Sequence, residues 1–261
     1  MSSDHHHMHE GQTRNIRFAF ILNLLFAIVE IIGGLLTNSV AILADAVHDL
    51  GDSLSLGASW FFEKYSTKKK NRIYPYGYRR FSLLGALINA IVLIGGTVYV
   101  LTEIVQRLFQ PQEVVTEGMF ALAIVGVAIN GIAAFRLSRN SSLNSRMVML
   151  HLLEDVLGWA AVLVASITIH FTGWHSIDAW LSLFIAIWVL YNASKGLKQV
   201  MKVLLQSTPL NFDFEKASTF VEEIDGVRNF HDLRVWTLDG ERHVGSMHLV
   251  IDPNKIDSSL A

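Results

Sequence analysis

Six apolar segments, each long enough to cross a bilayer as a helix, occupy most of the chain and predict a bundle of transmembrane helices. Their approximate bounds are 16–37, 39–62, 81–109, 118–135, 147–171 and 177–195. Hydrophobic residues make up 51% of the 261 residues and charged residues only 17%, which argues against a soluble globular protein. The expected fold class is therefore a membrane all-α six-helix bundle over residues 16–208, surrounded by the lipid bilayer.

After Pro209 the composition becomes that of a soluble domain. Residues 214–224 are predicted to form a helix, and residues 227–238 and 241–251 are predicted to form two strands. One helix and two strands are only a fragment of an α+β domain, because nothing that follows could cover the second strand. We therefore expect residues 209–261 to be a partial cytoplasmic domain, either truncated or unusually short.

Asp239-Gly240 separates the two predicted strands and favours a two-residue hairpin turn. Continued along both strands, the register set by such a turn places His231 directly opposite His248. His243 then points to the other face of the sheet, because side chains alternate along a strand.

Residues 1–15 are polar and contain four histidines, namely His5, His6, His7 and His9. This N-terminal tail is either a purification tag or disordered segment, or a weak arm that gathers metal ions. The sequence leaves both alternatives open.

Basic residues are concentrated in alternate connectors, and this pattern predicts the orientation of the chain in the membrane. The connector between the second and third segments carries seven of them (Lys64, Lys68, Lys69, Lys70, Arg72, Arg79 and Arg80), and that between the fourth and fifth carries three (Arg136, Arg139 and Arg146). The loops on the opposite side carry essentially only Arg107, at a helix end. By the positive-inside rule, both termini and both basic connectors are cytoplasmic.

Two H-x-x-x-D pairs interrupt the apolar segments. His48 and Asp52 lie in the second segment, and His151 and Asp155 lie in the fifth. A spacing of four places both side chains of a pair on one face of a helix, and ionisable side chains at this depth are costly unless they are paired or solvated. Two imidazoles and two carboxylates form a complete tetrahedral ligand set for Zn2+. A metal ion explains all four residues at once, and structural ion pairs between the helices are the alternative.

The types of ligand limit which metals the site can bind and which functions it can have. The chain has no cysteine, and imidazole combined with carboxylate suits Zn2+, or Cd2+ and Co2+, better than Ca2+ or Mg2+. A fully ligated site has no open position for an activated water, which argues against a hydrolase. Because protons and metal compete for the same ligand atoms, one site could exchange metal for protons. A membrane zinc-dependent enzyme and a passive channel or metal sensor are the alternatives, and no nucleic-acid partner is expected.

Three further carboxylates border the two pairs. Asp45 and Asp49 lie in the second segment and Glu154 lies in the fifth, each within the same arc of its helix as the pair. They could support the ligands or form a proton path, or they could simply face water in a cavity that must hydrate. We favour support of the ligands for Asp45, and hydration for Asp49 and Glu154.

Several stretches resemble the cation diffusion facilitator family of zinc transporters. Residues 30–34, 38–39 and 43–52 (L-A-D-A-V-H-D-L-G-D) resemble its opening helices. Residues 76–80 (Y-G-Y-R-R) and 84–90 (L-G-A-L-I-N-A) resemble its third helix, residues 151–155 its fifth-helix metal motif, and residues 231–236 (H-D-L-R-V-W) a strand of its cytoplasmic domain. The resemblance covers nearly the whole chain, and its motifs are specific in combination.

The resemblance implies a homodimer of six-helix subunits with ferredoxin-like cytoplasmic domains, in the cell (inner) membrane. It implies export of divalent metal from the cytoplasm coupled to proton entry, and its zinc-favouring group is the one with histidine in the second-helix motif. Carried over residue by residue, the transport site consists of His48, Asp52, His151 and Asp155. His231 and His248 would be ligands in the cytoplasmic domain.

Overall fold

The computed structural model describes residues 4–66, 68, 70–138, 143–209, 211–252 and 255. In chain order its elements are α1 (Asp4–Thr37), α2 (Val40–Ser66), α3 (Phe81–Phe109), α4 (Thr116–Leu137), α5 (Leu143–Thr172), α6 (Ser176–Leu204), α7 (Phe214–Glu222), β1 (Val227–Thr237) and β2 (His243–Ile251). The four N-terminal histidines fall at the start of α1, where side chains are outside the described residues.

The chain forms two compact units. The first comprises Met1–Phe61 and Gly85–Gly196, and it contains most of the six long helices. The second comprises Phe62–Leu84 and Leu197–Ala261, and it contains the connector between α2 and α3 together with the polar tail. The predicted fold class, a helical membrane part followed by a small α+β part, is confirmed.

All six predicted apolar segments are helical, and within the described residues four of the helices are long and apolar enough to cross a membrane. These four spans are Phe81–Phe109, Thr116–Arg136, Met149–Thr172 and Ser176–Leu204. The described apolar part of α1 is shorter, Asn23–Thr37. In α2, which has the length to span, three carboxylates (Asp45, Asp49 and Asp52) interrupt the apolar surface. The polar residues that distinguish α2 from the four more apolar helices thus belong to the H-x-x-x-D pair or lie next to it.

Close packing of α4 on α5 depends on a glycine that faces a tryptophan. Trp159 is buried, and its ring lies so near Gly126 that an added Cβ atom would overlap it. Small residues allow the backbones of membrane helices to approach closely, and dispersion contacts then hold them together. Ile42 of α2 and Met119 of α4 are buried in the same cluster, so α5 packs against both helices.

The opposite side of α2 packs on α3 and α6. Val40 and Ala44 of α2 form a buried cluster with Val100 and Ile104 of α3 and Ala186 of α6. Together with the cluster around Trp159, these contacts enclose α2 on two sides. The helix that carries the first H-x-x-x-D pair is therefore central to the packing of the first unit.

The beginning of α2 is capped by a carboxylate from another helix. Asp178, in the first turn of α6, is 1% exposed and accepts a hydrogen bond from Ser39 Oγ at 2.6 Å. It also accepts from the backbone N–H groups of Val40 at 2.8 Å and Ala41 at 3.3 Å. A carboxylate at this position satisfies N–H groups that lack partners within the helix and interacts favourably with the helix dipole.

The turn that precedes α2 is held by Arg107 of α3. Asn38 has a positive φ of 54°, and its side-chain oxygen accepts from Arg107 Nη2 at 2.8 Å, while its backbone oxygen accepts from Nη1. Arg107 also donates from Nε to Glu103 at 2.9 Å. The basic residue that the sequence analysis treated as a mark of topology therefore fixes the α1–α2 turn.

The hairpin turn in the tail differs from the predicted one. Leu238 N donates to Arg242 O at 2.8 Å and Thr237 pairs with His243, so residues 239–241 form a three-residue loop. The predicted two-residue turn is therefore wrong. The Asp239 side chain accounts for the difference, because it accepts from two backbone N–H groups of the loop and stabilises the longer turn.

The predicted histidine pair of the hairpin is nevertheless confirmed. A bulge between His231 and Arg234, with Asp232 at a φ of 57°, adds one residue to β1. This extra residue compensates for the longer loop and restores the register in which His231 pairs with His248.

Candidate metal centre

The two H-x-x-x-D pairs meet between α2 and α5. Asp52 Oδ2 lies 2.9 Å from His151 Nε2 on the other helix and 3.8 Å from His48 Nε2 on its own. Asp155 Oδ2 lies 4.0 Å from His151 Nε2. The two imidazole rings approach edge to face, with 5.9 Å between their centroids. The structure thus brings together the four side chains that the sequence analysis assigned to one site.

The spacing of these atoms suits a small divalent cation. Four ligands bound to Zn2+ at about 2.0 to 2.1 Å define a tetrahedron with edges of roughly 3.4 Å. The ligand atoms here are separated by 2.9, 3.8 and 4.0 Å, which brackets that edge length. His48, His151 and Asp155 can also each offer one ligand atom within 4.8 Å of the others. Three of the four side chains are therefore spaced to share one ion, and Asp52, which lies outside that group, approaches both histidines.

The position of Asp52 is unfavourable unless a proton or a cation lies between its carboxylate and His151. Its Oδ2 atom is buried and has no hydrogen bond of ordinary geometry among the described residues, although His151 Nε2 is 2.9 Å away. A carboxylate oxygen and the lone pair of a neutral imidazole nitrogen repel each other at this distance unless a proton or a cation lies between them. The geometry therefore suits a site that holds either a proton or a metal ion.

The candidate ligands are partly accessible rather than sealed. Among the four side chains, exposure ranges from 14% for Asp155 to 42% for His151. A site that must load and release an ion needs ligands that are not sealed inside the protein, and these four side chains meet that condition.

The three bordering carboxylates have different surroundings. Asp45 Oδ1 lies 3.8 Å from where a Cβ atom of Gly158 would be, so this carboxylate faces α5. Asp49 is buried, with 8% exposure. Glu154 is exposed and accepts a hydrogen bond from Trp188 Nε1 of α6. Asp45 therefore faces the helix that carries the second motif.

Two polar residues of α1, neither of them assigned to the site by the sequence analysis, are directed into the protein. Glu30 is 1% exposed, and within the described part of the chain neither of its carboxylate oxygens has a hydrogen-bond partner. Asn23 donates to Asp49 O at 3.2 Å and to Ser53 Oγ at 3.1 Å. In the sequence, these two residues are recognisable only as polar side chains within an apolar segment. That pattern predicts that they are buried, but not which residues they contact.

The two histidines of the tail form a pair on the hairpin. The rings of His231 and His248 lie with their centroids 5.2 Å apart, and both residues are exposed. Within the residues that the structure describes, they do not form a group of three metal-binding side chains with any other His, Asp or Glu. They supply at most half of a tetrahedral ligand set.

Comparison with protein families covers nearly the whole chain. A family described as the cation efflux transmembrane domain matches residues 16–205, and one described as the cytoplasmic domain of cation efflux proteins matches residues 209–259. The first match includes both H-x-x-x-D pairs, and the second includes both tail histidines.

Curated relatives match over similar lengths. The chain is 34% identical over 256 residues to the cadmium, cobalt and zinc/H(+)-K(+) antiporter of Bacillus velezensis, which covers 97% of this chain and 82% of the relative. It is 34% identical over 255 residues to the metal cation efflux system protein CzcD of Cupriavidus metallidurans, covering 97% and 81%. It is 33% identical over 256 residues to the zinc transporter ZitB of Escherichia coli, covering 96% and 82%.

Proposed function

Because the chain belongs to the cation efflux, or cation diffusion facilitator, family, we propose that it exports divalent metal by alternating access, with Zn2+ as its main substrate and Cd2+ and Co2+ as further ones. The observation that carries the proposal is the 2.9 Å approach of Asp52 to His151, which supports one ligand set shared by the two motifs. The relatives, named as transporters or efflux proteins for such metals, support the same substrate class. The chain is therefore a transporter, and the alternative of a membrane zinc enzyme is not supported.

In this proposal the four ligands have two separate roles. Asp52 and Asp155 balance the two charges of the metal, so that the loaded site with neutral imidazoles carries no net charge. His48 and His151 supply nitrogen ligands, which favour Zn2+ over Mg2+ and Ca2+. When the metal leaves, two carboxylates remain at the site with no counter-charge, and this is costly at membrane depth. Uptake of protons by the same side chains removes that cost.

We propose protons rather than K+ as the counter-ion. The Bacillus velezensis relative is named for both H+ and K+. A proton can occupy the same imidazole nitrogen as the metal, so that the two ions exclude each other at one atom. K+ is instead coordinated by oxygen atoms and would leave the histidines without a role in the exchange.

The proposal predicts that a pH gradient alone drives zinc against its own gradient. In proteoliposomes with an acidic lumen, Zn2+ is expected to accumulate inside as protons leave, and accumulation should stop when a protonophore collapses the gradient. A zinc indicator sealed in the lumen measures the uptake. Accumulation driven only by an equivalent K+ gradient would show that K+, and not the proton, is the counter-ion. Equilibration without accumulation under either gradient would favour a passive channel or a sensor.

We also propose the organisation that the sequence predicted. Residues 1–15 are a cytoplasmic tail, residues 16–208 the transmembrane domain and residues 209–261 a cytoplasmic domain. Both termini are cytoplasmic, and the chain acts as a homodimer in the cell (inner) membrane. The positive-inside distribution supports the orientation, and the match to the cytoplasmic domain of cation efflux proteins supports the dimer.

The tail histidines are proposed as a weak accessory metal site. With Asp52→Asn and Asp155→Asn in place and the four N-terminal histidines replaced by alanine in every variant, weak zinc binding is expected to persist and to be lost when His231 and His248 are both replaced by alanine. His243→Ala is the matched control, because regular alternation along β2 puts it on the opposite face from His248. Zinc titration of the purified protein measures the difference. An equal loss in the His243→Ala control would contradict the assignment.

A further inference from the structure

One ion pair joins the tail hairpin to the basic connector that precedes α3. Arg79 Nη1 donates a hydrogen bond to Asp239 Oδ2 at 3.3 Å. The Asp239 side chain is only 9% exposed, and that of Arg79 is 35% exposed. Both residues belong to the second compact unit, so the contact lies within one packed body.

The aspartate end of this pair is fixed by the hairpin loop. Asp239 Oδ1 accepts from the backbone N–H groups of Glu241 at 3.0 Å and Arg242 at 2.7 Å, which leaves Oδ2 for Arg79. Burial raises the pKa of Asp239, but the hydrogen bonds from these amides and from Arg79 outweigh it and lower the pKa below its ordinary value. The carboxylate is therefore ionised at neutral pH, and its contribution is lost only as the pH falls through the lowered pKa.

The arginine end is fixed by the beginning of α3. The backbone oxygen of Arg79 accepts from Ser82 N at 3.1 Å and from Ser82 Oγ at 2.8 Å, within the turn that starts the helix. Exposed ion pairs usually contribute little, partly because two flexible side chains must be ordered. Here the Asp239 side chain is already held by the loop amides, so only the Arg79 side chain has to be ordered to form the pair.

We propose that Asp239 and Arg79 are positioning residues for transport, through which the tail hairpin holds the connector between α2 and α3. The connector is the only covalent path from α2, which carries His48 and Asp52, to α3. A connector held at Arg79 restricts how these two helices can move apart during alternating access. The inference rests on the proposed transport function, so its test includes a measurement that does not depend on transport.

The functional test is a double-mutant cycle on zinc uptake. Asp239→Asn keeps Oδ1 for the loop amides but replaces Oδ2 with an amide that cannot accept from Arg79, and Arg79→Gln removes the charge. Each change is expected to slow uptake at subsaturating zinc by about three- to fivefold, as for a preorganised ion pair. The double variant should be no slower than the slower single variant, because both changes remove one interaction. Unchanged rates, or effects that multiply, would overturn the proposal.

A second ion pair in the same hairpin provides the matched control. Arg234 Nε lies 2.8 Å from Asp232 Oδ1, with 70% and 39% side-chain exposure, and both residues belong to β1. Asp232→Asn and Arg234→Gln should leave the uptake rate unchanged. Losses equal to those at Asp239 and Arg79 would mean that uptake responds to any disturbance of the hairpin, which would overturn a specific positioning role.

Cross-linking tests the contact without transport. The chain has no cysteine, so Arg79→Cys with Asp239→Cys introduces the only two thiols. A short bifunctional maleimide is expected to join them within one chain of the folded protein and not in denaturant, as detected by mass spectrometry of the digest. Absence of the link in the folded protein would overturn the proposal. A link in a protein whose parent moves no zinc would support the contact and contradict the proposed function instead.

Discussion

Asp52→Asn and Asp155→Asn are each expected to abolish zinc transport while leaving the folded protein intact. Asparagine has nearly the same shape as aspartate, so the packing of α2 on α5 should persist. It removes the negative charge that balances the metal, and a neutral amide oxygen is a much weaker ligand for Zn2+ than a carboxylate. Loss of even a supporting contact at a metal site typically costs 10- to 100-fold in affinity, so loss of a ligand should cost about 100-fold or more. Zinc uptake into proteoliposomes measures the effect.

An acidic residue outside the cluster provides the control for this result. Glu117 is exposed in the first turn of α4, and Glu117→Gln removes the same charge from a membrane helix. Its uptake should match that of the parent, and size-exclusion profiles should be the same for all variants. Normal uptake in both aspartate variants would exclude the pairs as the transport site, whatever their geometry.

The spacing of residues predicted the site because its chemistry is local within each helix. A separation of four determines that His48 lies beside Asp52 and that His151 lies beside Asp155, independently of the rest of the fold. The two pairs form one site if a single further condition holds, namely that α2 and α5 pack together. The cost of unpaired charge in a membrane supplied the reason to expect it.

Two of the contacts that sequence reasoning missed join distant positions. Asp178 caps α2 from α6, and Arg79 reaches Asp239 across 160 positions of the chain. Each of these residues has an ordinary local explanation, as an acidic residue in a first helical turn or a basic residue in a connector. No periodicity or spacing links the partners, so only the packing of the helices and the hairpin reveals them.

The hairpin shows how a correct pairing can follow from an incorrect turn. Asp239-Gly240 favours a two-residue turn, but the Asp239 side chain accepts from the backbone N–H groups of Glu241 and Arg242 and stabilises a longer loop. The bulge at Asp232 then shifts β1 by one residue and brings His231 back opposite His248. The bulge could not be predicted, because a bulge has no strong sequence signal. Without it, the longer loop would have shifted the register by one residue and turned each later side chain of β1 to the opposite face.

Asp178→Ala is expected to be the most destabilising single change outside the site. Ser39, Val40 and Ala41 are completely or almost completely buried, so the three donors that Asp178 satisfies have no access to water when the carboxylate is removed. Each unsatisfied buried donor costs about 1 to 3 kcal/mol, which for three donors gives a loss of roughly 3 to 9 kcal/mol in the free energy of unfolding. Thermal unfolding of the detergent-solubilised protein should show a markedly lower midpoint.

The expected loss can be separated from the general effect of removing a helix cap. Asp213 caps α7 in a similar way, accepting from Glu215 N and Lys216 N at 3.1 Å, but its cap is exposed. Asp213→Ala should therefore cost only about 1 kcal/mol, because water can replace the lost acceptor. Asp178→Asn should fall between the two, since it keeps one acceptor oxygen and turns an amide toward the remaining donors. Equal effects of Asp178→Ala and Asp213→Ala would show that burial of the α2 cap contributes nothing, and that the start of the motif helix is held by other contacts.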